Sequence, residues 1–236
     1  MIDRRRFFVL SGASVSAALL AACDSEGPKG AQRLLKFAER KNETLERVLL
    51  RHTSMDAART GAHSAGDDFP SYFISDDMPV WDAAAKGAWT LEVGGAVKTP
   101  MKFTLAQLMA LPSRTQRVNH YCVEGWTAVA TWSGVRVSEL AKLVQPTADA
   151  GYVDFASFDD DYHESWDIES AMHPQTLIAY GMDDKPLGPD HGAPARLHSP
   201  VKLGYKNTKY LTRVTFMPAR NGGYWSDQGY EWYGGT

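Results

Sequence analysis

Cysteine is almost missing from this 236-residue chain, which has only Cys23 and Cys122. One lies in an N-terminal address and the other in the middle of the folded part, so they are not read as a bridge. No Cys-x-x-Cys-His haem site, Cys-x-x-Cys or His-x-x-x-His zinc pair, or glycine-rich flavin or nicotinamide fingerprint occurs. Charge of one sign is also scarce. The formal net charge is -3, which gives no footprint for nucleic acid. The one long apolar stretch, Val9 to Ala22, is too short and too rich in Ala and Ser for a membrane span. Internal repeats are absent. What remains is an ordinary globular composition, 44% hydrophobic and 22% charged, long enough to bury a core without staples.

The N-terminus reads as an address. Asp3-Arg4-Arg5-Arg6-Phe7-Phe8 precedes the apolar stretch, as in a signal peptide. Arg4-Arg5 with Phe7 resembles a twin-arginine signal, which exports proteins already folded; a Sec signal with a chance arginine cluster is the alternative. Leu20-Ala21-Ala22-Cys23 resembles a lipobox, with Cys23 as lipidation site; cleavage near an Ala-x-Ala site is the alternative. Residues 1–23 are therefore assigned as signal peptide with lipobox. Asp24 fits retention at the inner membrane.

Residues 24–70 read as tether and spacer, and 71–236 as the main domain. Apolar positions Leu34, Leu35, Phe37, Ala38, Leu45, Val48 and Leu49 predict an amphipathic helix over Ala31–Arg51. Met55–Pro70 reads as loop. In the domain, Trp89–Val93 and Tyr152–Phe158 alternate as strands, Thr115–Tyr121 reads as extended, and Thr176–Met182, Ala195–His198 and Leu211–Phe216 read as further strands. Gly94-Gly95 and Asp183-Asp184 read as turns. Helices are predicted after Thr104, Ser138 and Asp167 as N-caps. Many short strands with few short helices give an α+β class.

Cys122, in His120-Tyr121-Cys122-Val123-Glu124-Gly125-Trp126, is the domain's only cysteine. A lone cysteine is most often a small buried hydrophobe. As a nucleophile it would have His120 on the same strand face, without any accompanying protease signature. As a zinc ligand it lacks companions. As one thiolate on a soft, cofactor-borne metal it needs none.

Cys122-Val123-Glu124-Gly125-Trp126 resembles the cysteine segment of the sulfite-oxidase-fold molybdopterin enzymes. It is most similar to the branch holding the periplasmic protein-methionine-sulfoxide reductase catalytic subunits. His191-Gly192-Ala193-Pro194-Ala195-Arg196-Leu197 and Lys202-Leu203-Gly204-Tyr205-Lys206-Asn207-Thr208-Lys209 resemble the family's pterin-binding strand and loop. The resemblance spans about Tyr72 to Pro218. It implies the sulfite-oxidase molybdopterin-binding fold, with mixed β-sheets and short helices. It implies one Mo-molybdopterin per chain, with Cys122 as metal ligand and catalytic centre. Tyr72, Phe73, Ser157, His191, Arg196, Asn207, Thr208 and Lys209 then border the cofactor, with Arg196 and Lys209 on its phosphate. Ser157 stands where the family often has Thr, and His191 where the reductase branch has Asn.

Sulfite oxidases ring the metal with arginines. Here the corresponding positions read Ser75-Asp76-Asp77 and Trp126-Thr127, which oppose an anion. The expectation is two-electron oxygen-atom transfer in the periplasm, reducing a neutral sulfoxide or similar donor, free or protein-bound. Electrons would come from a separate membrane cytochrome b or cytochrome c, with a lipid anchor holding the chain at the membrane. Sulfite dehydrogenase and a non-catalytic lipoprotein binding module are the rivals. The aromatic tail from Gly222 to Gly235 packs over the domain, covers the metal or docks an electron partner. His163, His173 and His198 receive no assignment.

Overall fold

The computed structural model describes residues 32–50, 55–57, 69–159 and 161–236. The proposed signal peptide, Cys23 and the tether therefore lie outside the described residues. The chain divides into two compact units, Met1–Leu49 and Leu50–Thr236. The first contributes helix α1, Gln32–Leu49, within one or two residues of the predicted bounds. No helix among the described residues is long and apolar enough to cross a membrane.

The second unit is built on two sheets. One runs β2 (Met101–Thr104), β1 (Thr90–Gly95), β10 (Leu211–Met217), β5 (Tyr152–Ser157), β6 (His163–Asp167). It is mixed, because β1 and β10 pair parallel while its other pairs are antiparallel. The other runs β3 (Ser113–Tyr121), β4 (Thr127–Arg136), β7 (Leu177–Met182), β8 (Lys185–Pro186), with β9 (Arg196–His198) also on β7. Short helices connect them: α2 (Ala83–Lys86), α3 (Leu105–Met109), α4 (Val137–Val144) and α5 (Ile168–Ala171).

The core explains this layering. Leu91, Val93, Val153, Phe155, Val214 and Phe216 project from the first sheet onto Leu140 and Val144 of α4 and onto Val135, Ile178 and Leu197 of the second. The second sheet's opposite face holds Val118, Ala130, Trp132, Leu177 and Ala179, covered by Phe69 and Leu187. It is thus apolar on both faces, and its inner strands β4 and β7 have no clean period-2 pattern.

Three turn and cap expectations agree with the structure. Thr104 forms a reciprocal capping box with Gln107. Asp167 accepts from Ser170 N and caps α5. Asp183 and Asp184 both take positive φ, as a tight hairpin between β7 and β8 requires. The Ser138 cap is corrected: α4 begins at Val137, two residues earlier than expected, its N-cap is Arg136, and no side chain caps it. There Glu139 instead anchors the first turn, holding Arg136 at 2.6 Å and Lys142 at 2.9 Å. Gly95 closes β1 rather than following it; a Cβ there would lie 2.2 Å from Phe216 O. Strands β2, β4, β6 and the two-residue β8 were not predicted.

Before Tyr72 the chain is already tied to the second sheet. Asp56 accepts from Asn119 N at 3.0 Å and from Tyr121 OH at 3.1 Å. Its own backbone meets both ends of the Gln175 amide.

Candidate functional site

Strand β3 ends at Tyr121, and the chain turns immediately. Gly125 N donates to Cys122 O, and Cys122 N donates to Trp126 O. Gly125 takes φ +89, a value that glycine adopts without steric cost. This turn sets Cys122 on the wall of a cavity of about 420 Å³ between the sheet ends.

Of the expected residues, Tyr72, Phe73, Ser157 and His191 line this cavity, with Arg196, Asn207 and Lys209. Thr208 does not. Its hydroxyl turns inward to Phe155 O and the residue is fully buried. Asn207 contributes less than expected, because its amide holds its own loop through Ser199 N, Lys202 O and Leu203 O. Ser157 Oγ accepts from Asp159 N at 2.9 Å. His191 stands edge-on to Phe69, and burial lowers its pKa.

The Cys122 end of the cavity is aromatic and acidic. The Cys122 thiol lies 3.7 Å from Glu124 Oε2, which also accepts from Trp126 Nε1 at 2.9 Å and from Tyr72 OH at 3.4 Å. Tyr72 and Trp126 stack at 26°. Burial pushes the Cys122 thiol above its usual pKa, and the neighbouring Glu124 charge adds to this. A free thiolate is therefore disfavoured, whereas a bound metal would deprotonate the thiol outright.

The cavity also holds two cations. Arg196 is 4% exposed. Its guanidinium donates to the carbonyls of His191, Asn207 and Leu197 and lies 5.0 Å over Trp132. No carboxylate pairs with it among the described residues. Burial lowers its pKa to about 10, so it stays charged. Lys209 donates to Asp190 O at 2.9 Å, and burial, reinforced by Arg196, brings its pKa to about 7. The charged Arg196 with its planar donors, and Lys209, which a bound anion would hold in its charged form, make an anion site without a bonded acid among the described residues. Gly192, at φ +100, permits this packing: a Cβ there would come within 2.9 Å of Lys209 Cβ and 3.2 Å of Arg196 Cβ.

Sequence reasoning missed several lining residues. Glu124 was visible in the cysteine segment but received no role. Asp159, Tyr162 and Tyr210 carry no motif. Trp225 and Tyr230 bring the C-terminal tail onto the cavity wall. Asp76 and Asp77 do not line it, so the nearby carboxylates are Glu124 and Asp159. Asp159 is engaged with Ile74 N and Ser75 N.

Residues 77–225 match the oxidoreductase molybdopterin binding domain family.

The chain belongs to that family.

As a member it binds Mo-molybdopterin and has the sulfite-oxidase-like α+β fold. A protein of Azospira oryzae, provisionally named protein-methionine-sulfoxide reductase subunit YedZ1, is 42% identical over 71% of this chain and 63% of its own. The protein-methionine-sulfoxide reductase catalytic subunit MsrP of Xanthomonas axonopodis pv. citri is 35% identical over 59% of this chain and 48% of its own. MsrP of Xanthomonas campestris pv. campestris is 28% identical over 95% of this chain and 73% of its own. The chain thus spans less than two thirds of the first two relatives. The sulfane dehydrogenase SoxCD of Paracoccus pantotrophus shares the fold, with TM-score 0.53 and 21% identity over 56% of this chain and 38% of its own.

The side chains fit such a cofactor. The cavity pairs one soft thiol with a buried, acid-free Arg196, matching a thiophilic metal at one end and a phosphate at the other.

Proposed function

We propose that this chain is an exported oxidoreductase reducing a neutral sulfoxide or similar oxygen donor, small or protein-bound. Two-electron oxygen-atom transfer is the chemistry that a bound molybdenum–molybdopterin supplies. For a sulfoxide the balance is one oxygen removed, two electrons and two protons consumed, and one water formed. The electrons come from a separate membrane cytochrome b or cytochrome c. In this reading Cys122 ligates the metal, and Arg196 and Lys209 hold the phosphate. Tyr72, Phe73, Ser157 and His191 border the cofactor, and Asn207 orders the loop beneath it.

The observation that carries the choice of substrate is Glu124, whose carboxylate lies 3.7 Å from Cys122 Sγ among Tyr72 and Trp126. Its charge repels sulfite, whereas a neutral sulfoxide can meet the aromatic walls. Lys202 and Lys206, the remaining cations of the pterin-loop segment, do not reach the cavity. They are fully buried on Asp167 at 2.8 Å and Glu164 at 2.5 Å. Losing two charged hydrogen bonds of about 1.5–3 kcal/mol each weakens sulfite binding by roughly two to four decades. Steady-state kinetics with artificial electron donors and acceptors across both substrate classes tests this. Sulfoxide or N-oxide reduction should dominate; efficient sulfite oxidation alone would overturn the reading.

Export through a twin-arginine signal and lipidation at Cys23 belong to the same proposal, placing the chain on the periplasmic side of the inner membrane. Two or three lipid chains anchor firmly, since each buried methylene contributes about 0.8 kcal/mol. Mass spectrometry of the mature N-terminus should find a diacylglyceryl cysteine at Cys23. An unmodified N-terminus downstream of Cys23 would sink this part.

A further inference from the structure

Behind the cavity two histidines face each other. His120, on β3, and His198, on β9, approach through Nδ1 and Nε2 at 3.4 Å, with their rings at 26°. His198 is stacked 4.0 Å from Trp132, and His120 lies 6.0 Å from Trp126. Both are buried, at 6% and 0% exposure. Only His120 reaches the cavity, and its Nε2 lies against Gly204 at the wall. A Cβ on Gly204 would come within 2.8 Å of that nitrogen.

A neutral imidazole has one N–H and one bare nitrogen, so this contact has two arrangements. If His120 Nδ1 carried the proton, His198 would have to accept at Nε2 and protonate at Nδ1. His198 Nδ1 is buried without a partner, so that arrangement strands an N–H in the core. Orphaned buried donors are rarer than under-satisfied acceptors. In the other arrangement His198 Nε2–H donates to His120 Nδ1, and the unpartnered nitrogen is a bare lone pair. His120 then carries its proton on Nε2, at the cavity wall. A charged His120 or a charged His198 would likewise put a proton on the unpartnered His198 Nδ1, so the same geometry holds both rings neutral.

We infer that His198 fixes the tautomer of His120, so that His120 Nε2–H is a permanent donor to the bound pterin. This rests on the cofactor reading above. His120 is the contact and His198 a positioning residue. Gly204 is required because any side chain there would displace the donor. The pair adds a neutral, directional hydrogen bond where Arg196 and Lys209 add charge.

The test uses fully oxidised holoenzyme labelled with 15N-histidine. Its ring nitrogens are assigned by loss of signals in His120→Phe and His198→Phe. Expected are protonated Nε2 and bare Nδ1 in both rings, with the His120 Nε2 proton protected from exchange. His120→Phe keeps the ring shape and removes the donor, so it should lose molybdenum about twofold to tenfold faster on dilution. His198→Phe should leave His120 as a tautomer mixture. A loaded wild-type protein with His120 protonated at Nδ1, or a His120→Phe variant that holds molybdenum as well as wild type, overturns the inference alone. Wild-type protein purified from a molybdopterin-making host without molybdenum overturns the cofactor reading and this inference together.

Discussion

Cys122→Ser is expected to abolish turnover while leaving most of the molybdenum in place. The thiol is the one soft donor on the cavity wall, and a serine hydroxyl is hard and stays protonated near neutral pH. Removing an outer-shell partner of a metal already costs about 10–100-fold, so losing the ligand itself should exceed about 100-fold. Retention is expected because, in the proposed reading, Arg196 and not Cys122 holds the cofactor's phosphate. Arg196 is buried and positioned by the carbonyls of Leu197, His191 and Asn207, none of which involves Cys122. Paramagnetic and optical spectra should change with the loss of sulfur at the metal. The measurements are elemental analysis, spectroscopy and single-turnover kinetics on the same preparation. A loaded variant with wild-type activity and unchanged spectra would remove Cys122 from the metal. Wild type without molybdenum would instead support the binding-module rival.

Lys206→Met is expected to be the most damaging stability change away from the cavity wall. Lys206 and Glu164 meet at 2.5 Å, and both side chains are 0% exposed. Burial lowers the Lys206 pKa, and the Glu164 charge opposes that shift. Glu164 also receives Trp225 N at 3.0 Å and Ser226 Oγ at 3.1 Å. Removing one partner leaves an uncompensated buried charge, worth about 3–5 kcal/mol. At roughly 2–4 °C per kcal/mol for a domain of this size, Tm should fall by roughly 6–20 °C. Lys206→Met with Glu164→Gln should recover part of the loss, because no charge is then stranded. Thermal unfolding followed by circular dichroism measures both. A single variant within 1 °C of wild type would show that the pair contributes little. The consequence extends to the cavity, since Glu164 fixes the segment that brings Trp225 and Tyr230 to its wall.

Residues of the cavity wall were more legible than individual strands, for identifiable reasons. Cys122 stood out because it has no partner cysteine, and the two pterin-loop segments carry glycine, arginine and lysine in a specific order. The Thr104 and Asp167 caps and the Asp183-Asp184 turn were readable because each is a local hydrogen-bond or φ requirement. Strand β4 was not. Thr127–Arg136 carries strand formers at Thr127, Val129, Thr131, Trp132 and Val135, but its apolar residues do not alternate, because β3 and β7 pair with both its edges and both its faces are largely buried. Strand β6, His163–Asp167, looks polar because Glu164 and Asp167 are there to meet buried lysines.

By itself the sequence determined the α+β class, the family resemblance and the identity of the thiol, because these depend on residue order within short windows. Tertiary structure alone decided which side chains share the cavity. It turned Thr208 inward, tied up the Asn207 amide, and replaced Asp76 and Asp77 with Glu124 and Asp159 as the nearby acids. It also brought Trp225 and Tyr230 from the tail and set His198 against His120. Those contacts join positions as far apart in the chain as Tyr72 and Tyr230, through sheets whose pairing depends on burial at both faces. No local pattern carries that information, since a strand's partners are chosen by the surface it must cover.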